Sequence, residues 1–196
     1  MARQVGDPAV TAYTLFAVGG VMLAAGDPAE ARRLLEEGLA LYRSAGQKAP
    51  LASCMAMLGG ARRRLGDLDV ARPLLRDALR LAVEVKAFVP KLIALALAAR
   101  LLAEQGQVEE AAELWVLLSS YPFVAQSHWF ADAAGRQISA AAETLLPDVA
   151  AAAQLLGRTR DLDSAAVEVA DELDRQIATA AATWTPSPRR PLRGQA

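Results

Sequence analysis

The sequence predicts an all-α fold: a stack of antiparallel helix hairpins, an α-solenoid, followed by a C-terminal helical cap. Three observations predict it. The chain repeats itself on a 40-residue period without a gap, and each unit carries a glycine at the same turn position, Gly26, Gly66 and Gly106. Aromatic residues make up only 5% of the 196 residues, while alanine and leucine abound, and both of these lose little side-chain freedom in a helix.

The repeat is plainest between residues 6–45 and 46–85, where 13 of 40 aligned positions are identical. Among them are Gly19/Gly59, Gly20/Gly60, Gly26/Gly66, Asp27/Asp67, Ala31/Ala71, Leu35/Leu75 and Leu39/Leu79. A third unit, 86–125, keeps Pro90, Ala96, Gly106, Ala111 and Leu114 at the matching places. Each unit reads as two helices. The first helices span about 12–25, 50–65 and 90–105, and each ends at its turn glycine, which takes the left-handed conformation without penalty. The second helices span about 28–44, 68–85 and 108–119. Asp27 and Asp67 are placed to cap them, and Pro28 suits a first helical turn. Apolar residues recur at helical spacing, as in Ala31, Leu34, Leu35 and Leu39, so neither helix buries its stripe alone and the hairpins must stack. The mid-helix pairs Gly19-Gly20 and Gly59-Gly60 each cost about 1 kcal/mol per glycine relative to alanine, which close helix approach within the hairpin explains.

After residue 125 the pattern changes. Residues 126–145 read as one more helix. Leu146-Pro147 starts another that runs to Leu156 and breaks at Gly157-Arg158. Asp161-Leu162-Asp163 then caps a final helix from Ser164 to about Ala182. Residues 126–182 are therefore expected to be capping helices that cover the last repeat's apolar face. Residues 183–196, with three prolines and three arginines, read as a disordered, solvated tail. Within it, Pro188 and Pro191 have the spacing of a polyproline ligand.

Composition excludes several classes of function. The net charge is −1, unlike the clustered basic fields of nucleic-acid binders, so no direct nucleic-acid partner is expected. Cys54 is the only cysteine and His128 the only histidine. No intrachain disulfide and no cysteine-based zinc site can form, no metal or other cofactor is expected, and a cytoplasmic setting fits. His128 reads as a packed or surface histidine and Cys54 as a small buried apolar residue. The glycine pairs lie inside helices rather than between strand and helix, so they are not phosphate loops. With acid, base and nucleophile candidates all lacking, the chain is not expected to be an enzyme. Residues 8–26 carry no charge, which approaches the length of a membrane span. The same stretch recurs 40 residues later carrying Arg62, Arg63 and Arg64, which marks a solenoid helix and leaves no membrane partner expected. Those three arginines point about 100° apart on a helix, so they read as a solvated face rather than one anion clamp.

These units resemble the tetratricopeptide repeat (TPR) family. The family pattern is met by Leu15, Val18-Gly19, Met22, Gly26, Ala31, Leu35 and Gly38 in the first unit. The second unit offers Met55, Leu58-Gly59, Arg62, Gly66, Ala71, Leu75 and Ala78. The third offers Leu95, Ala98-Ala99, Leu102, Gly106, Ala111, Trp115 and Leu118. The large aromatics of the pattern are mostly aliphatic here, the closing proline is absent, and the period is 40 rather than the common 34. This longer variety is similar to the MalT-like helical arms of large bacterial signalling ATPases and transcriptional regulators.

The resemblance implies a right-handed superhelix and a protein–protein interaction module, a C-terminal scaffold or sensor arm. Its partner would be another protein or a neighbouring domain of a longer chain. It also implies a concave groove built from the first helices. The positions carried over are Tyr13, Phe16, Gly20 and Leu23, then Met57, Gly60, Arg63 and Arg64, then Ile93, Leu97 and Arg100. The chain contains no asparagine, so the lysine–asparagine clamp with which the family's chaperone-binding members hold a peptide C-terminus cannot be built. A partner helix or domain is the expected guest. A small apolar effector in the same groove, made roomy by Gly20 and Gly60, is the alternative. The chain opens almost directly on a repeat, so either an earlier part of a longer protein is missing or the uncapped N-terminal hairpin docks on another chain, with homo-oligomerisation one form of this.

Overall fold

The structure, a computed structural model, describes residues 7–183, so the Pro/Arg tail beyond them lies outside the described residues. Among the described residues there are helices and no strands. Six long helices form three successive hairpins: α1 (Pro8–Ala25) with α2 (Pro28–Ser44), α3 (Lys48–Arg64) with α4 (Leu68–Glu84), and α5 (Phe88–Glu104) with α6 (Val108–Ser119). Each packs on the next, giving an all-α solenoid of TPR-like repeats. The first helices begin a few residues earlier than the sequence predicts; at α1 Asp7 supplies the cap, accepting from the Ala9 N–H at 2.9 Å, while α3 and α5 start without a side-chain cap.

Asp27 caps α2 as expected, accepting from the Glu30 N–H at 3.0 Å. Asp67 makes no such cap and instead holds Arg62 at 2.9 Å. The mid-helix glycines do what close approach requires. A Cβ on Gly19 would sit 2.8 Å from Leu35 Cγ, and one on Gly59 would sit 2.9 Å from Leu75 Cγ. The same knob meets the same hole one period later.

The hairpin turns repeat too. Gly26, Gly66 and Gly106 have φ of +94°, +85° and +86°, and Gly46, between the first two units, has φ +65°. The position 40 residues after Gly46 is Lys86, which takes φ +53° with a side chain attached. A left-handed non-glycine residue costs about 1–2 kcal/mol, part of which glycine's larger unfolded-state entropy offsets. Lys86→Gly is therefore expected to stabilise the fold by about 0.5–1 kcal/mol, read as a higher urea midpoint at unchanged m-value.

Residues beyond 119 leave the repeat. A single turn, α7 (Pro122–Ala125), precedes α8 (His128–Phe130), a π turn (Ala131–Gly135) and α9 (Arg136–Ala142). Phe130, Gly135 and Arg136 keep right-handed helical angles, so these three pieces run on as one helix with a wider turn in the middle. Helix α10 (Pro147–Thr159) follows, then α11 (Leu162–Thr183). The expected break at Gly157-Arg158 does not occur. Gly157 lies inside α10, where it allows the helix to touch the backbone of α6. Asp161 caps α11, accepting from the Ser164 N–H at 2.9 Å.

Helices α9 and α10 cover α6, the end of the last hairpin. Helix α11 goes elsewhere: it runs antiparallel to α4 and also touches α5. Its buried stripe is Ala165, Ala166, Val169, Ala170 and Leu173. Asp174 meets Arg76 at 2.9 Å and also pairs with Arg80, while Asp163 holds Lys91. The C-terminal region is thus a cap over α6 joined to a clasp that reaches back to the second hairpin.

Candidate functional site

The first helices of the hairpins, α1, α3 and α5, form the inner side of the stack, as the repeat pattern requires. This side is not an open groove. The helix over 128–142 lies across it, touching α1, α5 and α6. Its anchors are specific. Trp129 Nε1 donates to the Gly20 carbonyl at 2.8 Å, across 109 positions of sequence. Arg100 Nη1 donates to the Ala133 carbonyl within the π turn at 2.8 Å, and to Gln137 Oε1 at 3.2 Å. Gly135, in the same turn, lies against the Trp115 indole of α6, where a Cβ would overlap the ring.

Beneath this helix lies a charge cluster. The Arg63 side chain is 2% exposed and pairs with Glu104, which also accepts from Arg100 Nε at 3.2 Å. Arg64 Nη1 donates to the Leu23 carbonyl at 2.5 Å. Burial lowers the affinity of Arg63 for its proton, and the Glu104 carboxylate works against that. Burial pushes Glu104 up, but the hydrogen bonds and charges of Arg63 and Arg100 outweigh it, so its net shift is downward. The arginine run is therefore not a solvated face. Arg62 is tied to Glu36 and Asp67, and Arg63 is enclosed within its own chain.

Where the covering helix ends, a cleft of about 450 Å³ remains between the N-terminal parts of α1, α3 and α5 and the segment around α7 and α8. It is lined by Tyr13, Phe16, Tyr42, Ala49, Pro50, Ser53, Met57, Val89, Pro90, Ile93, Phe123, Ser127, Trp129 and Phe130. None of these is charged, and six of the chain's ten aromatic residues are among them. The rings brace one another edge to face: Phe16 with Tyr42 at 6.3 Å, Phe123 with Phe130 at 5.9 Å, and Trp129 with Phe130 at 5.0 Å between centroids. Such pairs add about 0.5–1.5 kcal/mol each beyond burial and hold the walls in place. Tyr13 and Phe123 stand at the rim, 65% and 52% exposed.

The expected groove residues divide between these two regions. Tyr13, Phe16, Met57 and Ile93 line the cleft. Gly20, Leu23, Gly60, Arg63 and Leu97 are buried, and Arg64 and Arg100 are half-buried in hydrogen bonds within the chain. Sequence reasoning missed Phe123, which it placed at the end of the third repeat, and Trp129 and Phe130, which it assigned to the cap. One signal was present: Tyr121, Phe123, Trp129 and Phe130 crowd ten residues of a chain that is otherwise poor in aromatics.

The remaining candidates have structural places. Cys54 donates its thiol hydrogen to the Leu35 carbonyl at 3.3 Å, and burial pushes that thiol up to about 12. His128 is exposed, and no group of side chains fit to hold a metal ion occurs among the described residues.

Residues 9–84, which contain helices α1 to α4 but for their first residue, match the family model of the tetratricopeptide repeat. No curated protein and no solved structure matched the chain. Repeats of this family generally mediate protein–protein interaction, and the all-helical fold they build is typically non-catalytic.

Proposed function

We propose that this chain is a protein-binding module whose recognition site is the aromatic cleft at Tyr13, Phe16, Met57, Ile93, Phe123 and Trp129. The observation that carries this reading is the concentration of aromatic side chains around an uncharged cleft, with Tyr13 and Phe123 left exposed at its rim. Monomeric proteins rarely leave such a patch uncovered without use, and interface anchors are enriched in tyrosine and tryptophan. The guest chemistry follows from the lining. An uncharged cleft with two serine hydroxyls suits one or two apolar side chains on a partner helix or domain, not a charged terminus. The setting proposed is the scaffold or sensor arm of a bacterial signalling or transcriptional regulator of the long-period, MalT-like type, in the cytoplasm. The similarity of its repeats to those arms supports that setting.

A second reading has its own support. The cleft is roomy enough for a small apolar effector, and its volume lies within the range of ligand sites. The two readings separate experimentally. Tyr13→Ser with Phe123→Ser removes two exposed rings, neither of which is itself a buried core residue. Capture of a protein partner by the tagged chain is expected to fall more than tenfold while helical circular dichroism is unchanged. Undiminished capture by the double variant would remove the cleft from the reading. A small-molecule sensor would instead show a ligand-dependent rise in melting temperature that the same double variant abolishes.

A further inference from the structure

The 40-residue period allows the surface of each unit to be compared with the same surface of the next. One comparison fails. On α3, Cys54, Leu58 and Ala61 are 0%, 4% and 0% exposed, and on α5 their counterparts Ala94, Ala98 and Leu101 are 0%, 0% and 1% exposed. Helix α2 covers that face of α3, as the Cys54–Leu35 hydrogen bond shows, and α4 packs against α5. The counterparts on α1 are Thr14, Val18 and Val21. All three are exposed, Val18 by 40% and Val21 by 57%, and Val10, one turn earlier on the same stripe, is 62% exposed. The face that the fold buries twice is uncovered on its first use.

We infer that this α1 face, Val10, Thr14, Ala17, Val18 and Val21, packs against the same face of a second copy of the chain, giving a two-fold dimer. Two observations select this occupant. No charged residue lies between Pro8 and Gly26, so two copies of the face meet without like-charge repulsion, as an isologous interface requires. The other end of the stack is closed: α10 covers α6, with the Glu113 carbonyl 2.5 Å from where a Cβ on Gly157 would lie. Helix α6 of one copy therefore cannot take the α2-like place on α1 of the next, and association stops at a pair rather than growing into a fibre. The contact is small. An 18-residue helix is about 27 Å long, and one face of it buries about 400 Å² per partner, below the usual size of a stable interface. The dimer is accordingly a weak one, formed at micromolar concentrations and above.

The test is sedimentation equilibrium of the 196-residue chain from about 1 to 300 µM, a range set by the small contact area. The mass is expected to climb from the 20.7 kDa monomer toward twice that value. Val18→Glu and Val21→Glu, at exposed positions outside the cleft, are expected to weaken the dimer at least tenfold with helical content unchanged. Under oxidation, Val18→Cys or Val21→Cys is expected to give a disulfide-linked dimer, while buried Cys54 gives none in the parent chain. Monomer mass at every concentration would overturn the inference, as would a dimer indifferent to the glutamate substitutions. So would two competing occupants. One is binding of the monomer to anionic phospholipid vesicles, since α1 is long and apolar enough to cross a membrane by length and composition. The other is saturable binding of a peptide with the sequence of residues 66–86. The dimer is read by mass with the Val18 and Val21 variants and the cleft by partner capture with the Tyr13/Phe123 variant, so failure here is distinguishable from failure of the cleft.

Discussion

Gly157→Ala is expected to lower the free energy of unfolding by about 2 kcal/mol, although alanine is the better helix former by about 1 kcal/mol. The two effects have opposite signs, so the experiment decides between them. Gly157 is inside α10, and a Cβ there would lie 2.5 Å from the Glu113 carbonyl oxygen and 2.7 Å from Val116 Cβ. The first of these is backbone of α6 and cannot turn aside as a flexible side chain can. Helix α10 would have to lift from α6, loosening Ala153, which is 1% exposed, and the Arg160 bridge to Glu113. Overpacking of this kind costs about 1–3 kcal/mol and here exceeds the gain in helix propensity. Urea unfolding followed by circular dichroism gives the sign directly. A more stable alanine variant would mean that α10 does not sit on α6 as described.

The second large effect concerns Glu104. Glu104→Ala is expected to destabilise by about 2–3 kcal/mol, since breaking a buried pair strands the other charge. The figure lies below that of a fully buried pair because the Glu104 side chain is 44% exposed and water screens part of the interaction. Arg63 is 2% exposed, and neither its Nε nor its Nη2 has a hydrogen-bond partner in the protein, so Glu104 is its principal support. A companion variant sharpens the test. Arg63→Met added to Glu104→Ala is expected to recover at least half of the loss, because no charge is then left buried. The pH dependence follows from the lowered carboxyl of Glu104. A carboxylate whose folded value is depressed contributes stability above its unfolded value of about 4.3, and that contribution is lost as pH falls through the folded value. The difference in stability between the parent and Glu104→Ala is therefore expected to be constant near neutrality and to shrink below about pH 4.

The hairpins were legible in the sequence because their determinants are local and recur. A glycine at each turn, an alanine in the first turn of the helix after it and a leucine one turn further on are all read within a single unit, and the second unit repeats the pattern of the first. Lys86 shows the limit of this reading. The backbone takes the left-handed angle at Lys86 as it does at Gly46, so the turn is present where its sequence signal is not. The inner face was read only in part. Tyr13, Phe16, Met57 and Ile93 sit on the periodic helices and followed from the repeat. Phe123, Trp129 and Phe130 come from a segment without a repeat, and their places depend on shape and hydrogen bonding between residues about a hundred positions apart, which no periodicity records. Gly157 was misread for a related reason. A glycine that ends a helix and one that lets two helices touch are the same letter, and only the neighbouring chain distinguishes them. Arg63 was likewise taken for a solvated residue because its partner lies 41 positions away in another hairpin.

A plain repeat array folds nearly as a one-dimensional chain, each unit depending only on its neighbours, so that end units can fray while the middle holds. The bond from Trp129 to Gly20 and the pairing of Asp174 with Arg76 remove that independence. The last third of the chain closes over the first and second hairpins, so neither end can open without breaking contacts made far along the sequence. Loss of structure should then occur in a single transition. Its folding should carry a late step, in which hairpins already formed from local contacts wait for the C-terminal helices to close the long loops between them.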